Sequence, residues 1–507
     1  MTKRSRRSFL KTAAVIGSAL GSTGYFVSEM EAQAPSTSSP NQRLNFASIG
    51  VGGKGDGDAN NAAQFGKCVA ICDVDLGTLD GKSKKEGFQT AKMYTDFRKL
   101  LEENEKDIDI VTVSGPDHMH AAATLMAMRM GMSCYTQKPL TRTIYEARKL
   151  AEVAKETGVC TQMGNQGTAL DASRIGIAQL QAGIIGEIKE VLVWSNRPIW
   201  GQRPGRRETM STFAAKTYKE FPNRKAADRL VWGKYEEIQN GLQNLDWRYW
   251  LNTAPYRDFF PGLYHAFEWR GWWDFGSGAL GDMACHMMTV PFVAAGLKDP
   301  TWVRAKSTGH DFDSFPNSSI IEFEFPANSE RGKIPFWWYD REGNRPPQER
   351  FDEYGISEPG VAGVLIVGTK GVMHSPSDYC EKYTFLAKGG EKIAELPNIT
   401  TELAEKPDGG NDVWNMWELF RAKIANDPKI CKSNFIDRAG PLTETILLGN
   451  LAVWAAAEGG PDGSMGDWGE TIEWDAKKLE VTNLASLRTP GVQDLVKPVY
   501  TDGYRLD

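Results

Sequence analysis

The sequence predicts an α/β protein that begins with a doubly wound parallel sheet and continues into a second domain. A length of 507 residues is more than one hydrophobic core usually supports. Apolar strand-like runs alternate with helical patterns between residues 44 and 163, which is typical of a parallel sheet. The first run, Leu44–Gly55, ends in glycines at GxGxxG spacing, the pattern of a strand that turns into a nucleotide-binding helix.

The glycine turn predicts a dinucleotide site. Its candidate cofactor residues are Gly50, Gly52, Gly53 and Gly55, because no side chain fits between the backbone and a pyrophosphate at a helix N-terminus. An ordinary glycine-rich turn is the alternative in a chain with 51 glycines. Asp73 ends the next apolar run and is expected to accept hydrogen bonds from the adenine ribose, with Asp75 as its neighbouring competitor and a turn cap as its alternative role.

The cofactor is expected to be NAD. No Arg or Lys directly follows Asp73 to neutralise a 2′-phosphate, and the carboxylate would repel one, although NADP stays the alternative.

The remaining elements of the first domain, residues 43–164, follow in order. They are a strand at 68–72, a lysine-rich helix, a helix with Phe97, Leu100 and Leu101 on one face, a strand within 107–114, a helix from Asp117 to Gly131, a strand at 133–136, a helix at 144–157 and a strand at 159–163.

Residues 165–440 are predicted to form the second domain. A helix near 172–183, a strand near 186–196 and strands near Ile320 and Val364 form its framework. An insertion near 198–264 is expected to be loops and short helices over the mouth of the cleft, and a second insertion near 335–360 is polar and proline-rich. Residues 441–507 begin with an apolar helix that is expected to pack back on the first domain.

The N-terminus, residues 1–34, has the features of a twin-arginine export signal. Arg6 and Arg7 lie in the order SRRxFLK, followed by a mildly apolar stretch without acids, and residues 35–42 read as a linker. This pattern predicts export to the periplasm with a cofactor already bound and tightly held. Pro35 disfavours cleavage after Ala34, so a retained segment would be the only membrane contact. The seven cysteines are expected to be buried thiols.

Composition narrows the range of partners. The net charge of −6, without a long basic run, argues against nucleic acid. Many of the 16 tryptophans fall between residues 194 and 273, where a substrate-binding sugar platform of His265, Arg270, Trp272 and Trp273 is one interpretation and ordinary core packing is the other.

Five motifs together resemble the glucose–fructose oxidoreductase, inositol dehydrogenase and rhizopine-catabolism (Gfo/Idh/MocA) family. They are GVGGKG at 50–55, CDVD at 72–75, SGPDHMHA at 114–121, QKP at 137–139 and GALGDMACH at 278–286. The resemblance covers residues 42–300 and implies that the second domain is an open, mostly antiparallel sheet and that the protein is a homo-oligomer. One departure is Gln137, where the family usually has Glu before the lysine.

The resemblance also implies catalytic residues. Lys138 matches the family's catalytic lysine and would polarise a carbinol oxygen, while Asp282 and His286 match a DxxxH pair in which the imidazole takes the hydroxyl proton. Asp117 and His118 are expected at the nicotinamide and its ribose, with a helix N-cap as the alternative for Asp117. No metal is expected, because no third ligand lies at suitable spacing.

Three functions remain open. The first is an exported NAD-dependent oxidoreductase acting on a hydroxyl of a sugar, glycoside or cyclic polyol. The second is a glycoside hydrolase that uses the same residues for transient oxidation, elimination and return of the hydride. The third is a catalytically silent carbohydrate-binding protein.

Overall fold

The structure, a computed structural model, describes residues 43–200, 244–257, 259, 264–394, 405–497, 499–500 and 504–506. The predicted signal segment, the linker and most of the insertion predicted at 198–264 lie outside the described residues. Within the described ranges, no helix combines the length and the apolar character needed to span a membrane.

The first sheet has six parallel strands in the order β3-β2-β1-β4-β5-β6, which confirms the predicted doubly wound sheet. Its strands are β1 Asn45–Ile49, β2 Lys67–Cys72, β3 Lys92–Tyr94, β4 Ile110–Val113, β5 Ser133–Thr136 and β6 Thr161–Met163. The edge strand β3 was not predicted, because three half-exposed residues before the apolar helix spacing carry too little pattern.

Helices cover this sheet and end close to the predicted positions. They are α1 Lys54–Ala63, α2 Leu76–Ser83, α3 Phe97–Glu103, α4 Asp117–Arg129 and α5 Ile144–Thr157. Helix α5 shows why its bounds were predictable: Thr143 and Glu146 form a capping box at its start, and Gly158 ends it in the left-handed conformation at φ 67°.

The second sheet has nine strands in the order β13-β12-β11-β7-β10-β9-β8-β14-β15, and only the β7–β10 pair is parallel. This arrangement confirms the expected open, mostly antiparallel sheet. The strands are β7 Ile188–Ser195, β8 Trp302–Ser307, β9 Ser319–Phe325, β10 Ile334–Asp340, β11 Gly363–Gly368, β12 Val372–Ser375, β13 Thr384–Leu386, β14 Ile472–Asp475 and β15 Glu480–Val481.

The insertion predicted at 335–360 instead begins within a strand of the second sheet, β10. Residues 334–340 form a central strand between β7 and β9, with Phe336 and Trp338 fully buried, and only the later part contains a short helix, Gln348–Asp352. Pro335 and the polar residues that follow the strand concealed its alternating pattern.

The other helices of the described residues connect the two sheets. They are α6 Asp171–Gln181, α7 Trp247–Leu251, α8 Gly278–Met287, α9 Thr289–Ala294, α10 Gln348–Asp352, α11 Asn411–Ala425 and α12 Gly440–Ala455. Helix α12 packs against α5 of the first domain, where Arg148 pairs with Glu444, and also against β8 and β9 of the second sheet.

Helix α11 belongs to the residues predicted for the second domain, yet it packs on the first sheet. Its Met416, Leu419 and Phe420 share a buried cluster with Phe46 and Ile71. The predicted boundary at residue 440 therefore does not separate the packing units cleanly. All seven cysteines are buried and free, as predicted.

Candidate active site

The glycine turn between β1 and α1 forms a cradle that side chains would fill. Gly50 has φ +77°, and a Cβ there would lie 2.8 Å from the nitrogen of Gly115, while a Cβ on Gly55 would lie 2.0 Å from the carbonyl oxygen of Gly50. Gly53, with φ +52°, has nothing within 4 Å of its Cβ position. The turn is thus closely packed on its inner side and open on the other, as a bound pyrophosphate requires.

Asp73 lies against this turn. Its carboxylate oxygens accept hydrogen bonds from the backbone nitrogens of Val51 at 2.9 Å and Asp75 at 3.0 Å. Burial raises the pKa of Asp73. Asp75 instead caps α2 by accepting from the nitrogen of Thr78, so the competing carboxylate has a structural role. A ribose contact by Asp73 stays a prediction consistent with its position.

Lys138 and Asp282 meet across the two domains. Lys138 follows β5, and its Nζ donates to Oδ1 of Asp282 on α8 at 2.9 Å and to the Asp282 carbonyl oxygen at 2.8 Å. Burial alone would raise the pKa of Asp282, but Lys138 and Arg270 hold that pKa well below its usual range. The sequence motifs predicted both as catalytic residues, with Asp282 orienting the imidazole of His286 or binding a sugar hydroxyl, and the structure pairs Asp282 with Lys138.

His286 lies one helical turn after Asp282 on α8. The residue is buried, with an exposure of 4 %, and its Nδ1 has no hydrogen-bond partner among the described residues. Its ring packs edge-on against Tyr379 at 4.8 Å between centroids. Burial, reinforced by Lys138, holds the pKa of His286 well below its usual range, so the imidazole is neutral at pH 7.

Asp117 lies in the turn predicted to face the nicotinamide. The alternative interpretation of this residue as the N-cap of a helix is wrong. Pro116 is the N-cap of α4, and Oδ2 of Asp117 accepts from Oγ of Ser277 at 2.5 Å. The residue is only 3 % exposed. Burial raises the pKa of Asp117 to about 7, near the operating range of most enzymes.

We expect Asp117→Asn to flatten the dependence of stability on pH. Because the folded-state pKa is raised, the folded protein keeps a proton that the unfolded chain has released between about pH 4 and 7, and the free energy of unfolding falls as the pH rises through this window. The Asn side chain does not titrate. Urea unfolding at pH 5 and pH 7.5 measures the difference; an unchanged slope in the variant would contradict the assignment.

His118 was predicted to contact the cofactor, and the structure gives its side chain a different role. The ring is fully buried, and its nitrogens lie against the backbone carbonyls of Trp250 at 2.9 Å and Phe275 at 3.3 Å. Burial lowers its pKa to about 4, so the ring is neutral. His118 therefore joins α4 to the aromatic segment that carries Trp250 and Phe275.

His120 is a residue that sequence reasoning did not single out. Its ring nitrogens lie 2.9 Å from the carbonyl oxygen of Pro139 and 2.8 Å from that of Gly115. The imidazole thereby joins the turn after β4 to the turn that carries Lys138. The HxH spacing in the 114–121 motif was the available signal.

The hydrogen bonds of Gln137 account for glutamine at the position where the family usually has glutamate. Its Nε2 donates to Oδ2 of Asp58 at 2.8 Å, and the same oxygen accepts from Oγ of Ser114. Asp58 is 1 % exposed on α1, and burial raises its pKa, while Lys54 lies 3.5 Å away. Oε1 of Gln137 accepts from the Lys138 nitrogen at 3.1 Å. The amide at 137 can donate to the Asp58 carboxylate, which an ionised glutamate at this position could not do.

The two tryptophans predicted to form part of a sugar platform are buried instead. Trp272 is 1 % exposed within a cluster that includes Trp250 and Tyr264, and Trp273 stacks on Phe315 with centroids 3.7 Å apart. Both indoles are core residues, which was the alternative interpretation. Their burial removes them from contact with a sugar.

His265 and Arg270 have separate positions. Nε2 of His265 lies 3.5 Å from Oδ2 of Asp75, near the predicted ribose end of the cofactor site, and its contact with the substrate stays a prediction. Arg270 points to Asp282, with Nε at 3.5 Å from Oδ1, so this one member of the predicted platform lies at the catalytic pair. Arg197, also near Asp282, was not predicted because nothing in the local sequence marks it.

Comparisons with known proteins match the two-domain fold. Residues 44–165 match the oxidoreductase family model described as an NAD-binding Rossmann fold, and residues 229–314 match the family's C-terminal alpha/beta domain. A glycosyl hydrolase family 109 protein of Shewanella pealeana is 27 % identical over 206 residues, which are 37 % of this chain and 44 % of that protein. The D-glucoside 3-dehydrogenase of Escherichia coli is 30 % identical over 121 residues, 24 % of this chain and 33 % of that protein.

The fold has solved relatives of low sequence identity. The crystal structure of an inositol dehydrogenase homolog from Azotobacter vinelandii, complexed with NADH and myo-inositol, aligns with a TM-score of 0.53 at 15 % identity, over 85 % of this chain and 98 % of that one. The chain spans less than half the length of the curated relatives it matches.

The fold and the glycine cradle define a two-domain protein with an NAD-binding Rossmann domain. The two model matches support the resemblance to the Gfo/Idh/MocA oxidoreductase family that the motifs predicted, and the structural neighbours share the fold.

Proposed function

We propose that the protein is an NAD-dependent oxidoreductase that acts on a hydroxyl or carbonyl group of a sugar, glycoside or cyclic polyol. The observation that carries the proposal is the Lys138–Asp282 pair, which joins the carboxyl end of β5 to the helix that also holds His286. In doubly wound sheets this end of the strands faces the ligand crevice. The twin-arginine pattern of the first residues supports export, and we propose a periplasmic location.

Each residue has a distinct part in the proposed reaction. The glycine cradle and Asp73 would hold NAD, which when bound supplies the acceptor for the substrate hydride. His286, neutral at its depressed pKa, would take the hydroxyl proton. The ammonium of Lys138 would donate a hydrogen bond to the carbinol oxygen and stabilise the charge that develops on it, and Asp282 would orient this lysine.

A redox-neutral glycoside hydrolase is the second candidate. The similarity to a glycosyl hydrolase family 109 protein favours it, although only over part of both chains. The same residues would support oxidation of a ring hydroxyl to a ketone by bound NAD, loss of the acidified neighbouring proton with departure of the aglycone, addition of water to the resulting double bond, and return of the hydride to the ketone. Release of free sugar without net accumulation of NADH separates this route from a dehydrogenase.

Retention of the cofactor tests the first part of the proposal. We expect the purified protein to carry nicotinamide by mass spectrometry, and Gly55→Ala to lose it, because the new Cβ would collide with the Gly50 carbonyl oxygen. Gly57→Ala on the same helix is the matched control, since its Cβ position has nothing within 4 Å. A panel of glycosides and polyols added to the loaded protein, followed at about 340 nm, then tests hydride transfer.

Two outcomes would reject the proposal. A protein that binds sugars but carries no nicotinamide is the catalytically silent binding protein that the sequence left open. A loaded protein with no absorbance change and no released sugar on any substrate would exclude both enzymatic candidates.

A further inference from the structure

Three cationic side chains converge on the carboxylate of Asp282. Besides Lys138 at 2.9 Å, Nε of Arg270 lies 3.5 Å from Oδ1 and Nε of Arg197 lies 3.9 Å from Oδ2. The three come from different places: the turn after β5, the short 3₁₀ segment Glu268–Gly271 and the residues after β7. All four side chains are largely enclosed, with 14–23 % of their surface exposed.

The positive charges exceed the negative charges in this cluster. The lysine donates a hydrogen bond to Asp282, whereas neither guanidinium donates one to a carboxylate within the described part of the chain. Asp117 and Asp378 are the other nearby carboxyls. Burial raises the pKa of both, that of Asp117 to about 7, so Asp117 is only partly ionised at neutral pH. Three cationic side chains therefore share the one carboxylate that lies within 4 Å of all of them, that of Asp282.

Arg270 is also held in a fixed orientation. Its guanidinium lies over the rings of Phe267 at 4.4 Å and Trp269 at 4.2 Å, and its Nη1 donates to the Phe267 carbonyl oxygen at 3.2 Å. Stacking on aromatic faces restricts the planar fork without using its remaining donors. A preoriented guanidinium is the group that proteins most often use to bind a carboxylate through two parallel hydrogen bonds.

We propose that the substrate is an anionic sugar whose carboxylate is received by Arg270 and Arg197, while the hydroxyl to be oxidised lies at Lys138 and His286. This inference deepens the proposed function and rests on it: the substrate class becomes uronic acids and their glycosides. A neutral sugar would leave two partly buried guanidinium groups without a full counter-charge, which is costly in an enclosed site.

The cofactor's own phosphates do not account for these arginines. The pyrophosphate site predicted from the glycine cradle is at the start of α1, in the first domain. Arg270 and Arg197 both flank Asp282, the residue of α8 that binds the catalytic lysine. The cationic cluster therefore belongs to the substrate side of the site.

The test compares matched pairs of ligands on the NAD-loaded protein. Methyl glucoside against methyl glucuronide, and methyl galactoside against methyl galacturonide, differ only in the carboxylate. Equilibrium binding is followed by calorimetry, and hydride transfer by absorbance at about 340 nm. We expect one acidic member to bind about 10- to 100-fold more tightly than its neutral partner, with an affinity that falls as salt increases.

Variants of the arginines make the test specific. Arg270→Gln and Arg197→Gln should each lower affinity for the preferred uronate by about 10-fold more than affinity for its neutral partner. Arg270→Lys keeps the positive charge and loses the planar guanidinium, so its affinity for the uronate should lie between those of the wild type and Arg270→Gln. It replaces the Gln variant in the test if that variant does not fold. Arg304→Gln, which removes a positive charge on β8 paired with Glu322, is the matched control and should change neither affinity.

The outcomes separate this inference from the proposed function. Arginine-dependent binding of a uronate without any absorbance change would support the anionic site and reject the oxidoreductase. Hydride transfer from neutral sugars with equal or greater affinity would keep the oxidoreductase and overturn the anionic substrate. Absence of binding by either member of both pairs, or stronger binding of a sugar 6-phosphate, would also overturn it.

Discussion

Replacing Lys138 with methionine is expected to lower the rate of hydride transfer by about 10²- to 10⁴-fold. Methionine keeps much of the side chain's length and volume but removes the only described ammonium that hydrogen-bonds Asp282 and can reach a carbinol oxygen beside His286. The charge that develops on the substrate oxygen would then lack its donor. The measurement is single-turnover reduction of the retained nicotinamide with a saturating substrate.

The control for this variant is Lys149→Met on α5. Lys149 is partly exposed and pairs only weakly with Glu152 at 3.8 Å, so its loss should change the rate less than twofold. The rate of hydride transfer in Asp282→Asn should lie between those of the other two variants. The lysine would keep its hydrogen bond to the Asp282 carbonyl oxygen but lose the negative charge that orients it. A Lys138→Met protein with an unaltered rate and retained cofactor would remove this lysine from the chemistry.

The sequence predicted the parts of the site that are encoded by short motifs. The glycine turn, the lysine after β5 and the DxxxH pair each occupy a few consecutive positions on one element, and their spacing follows from the geometry of that element. The meeting of Lys138 with Asp282 could be expected once family resemblance placed the two motifs on facing domains. Their separation of 144 residues has no local signature.

The parts that were missed depend on tertiary packing. Arg197 and Arg270 reach Asp282 from separate segments, and nothing in the sequence around either one distinguishes a substrate arginine from a surface arginine. Trp272 and Trp273 were candidates for a platform because indoles serve equally in cores and in sugar sites, and only burial decides between these uses. His118 was misassigned for the same reason, since its carbonyl partners lie on a distant segment.

Gln137→Glu, which restores the family's usual residue, should destabilise this protein by about 2–4 kcal/mol at pH 7. The amide that donates to Asp58 would become a carboxylate, and two buried carboxylates would face each other across 2.8 Å with one proton between them at most. Their shared pKa would be raised in the folded state. The stability of the variant would therefore be close to that of the wild type below about pH 4 and would fall as the pH rises through the raised pKa.

The double variant Asp58→Asn, Gln137→Glu distinguishes this explanation from simple disruption. It exchanges the donor and the acceptor, so the new Asn amide can donate to the new carboxylate, and urea unfolding should recover most of the lost free energy. Gln181→Glu, at an exposed position on α6, is the control and should stay within about 0.5 kcal/mol of the wild type. If the double variant were no more stable than Gln137→Glu alone, pairing with Asp58 would not be the reason that this chain carries glutamine before its lysine. Recovery would instead show that α1 and the turn after β5 are matched to each other, so that the residue before Lys138 can change only together with Asp58.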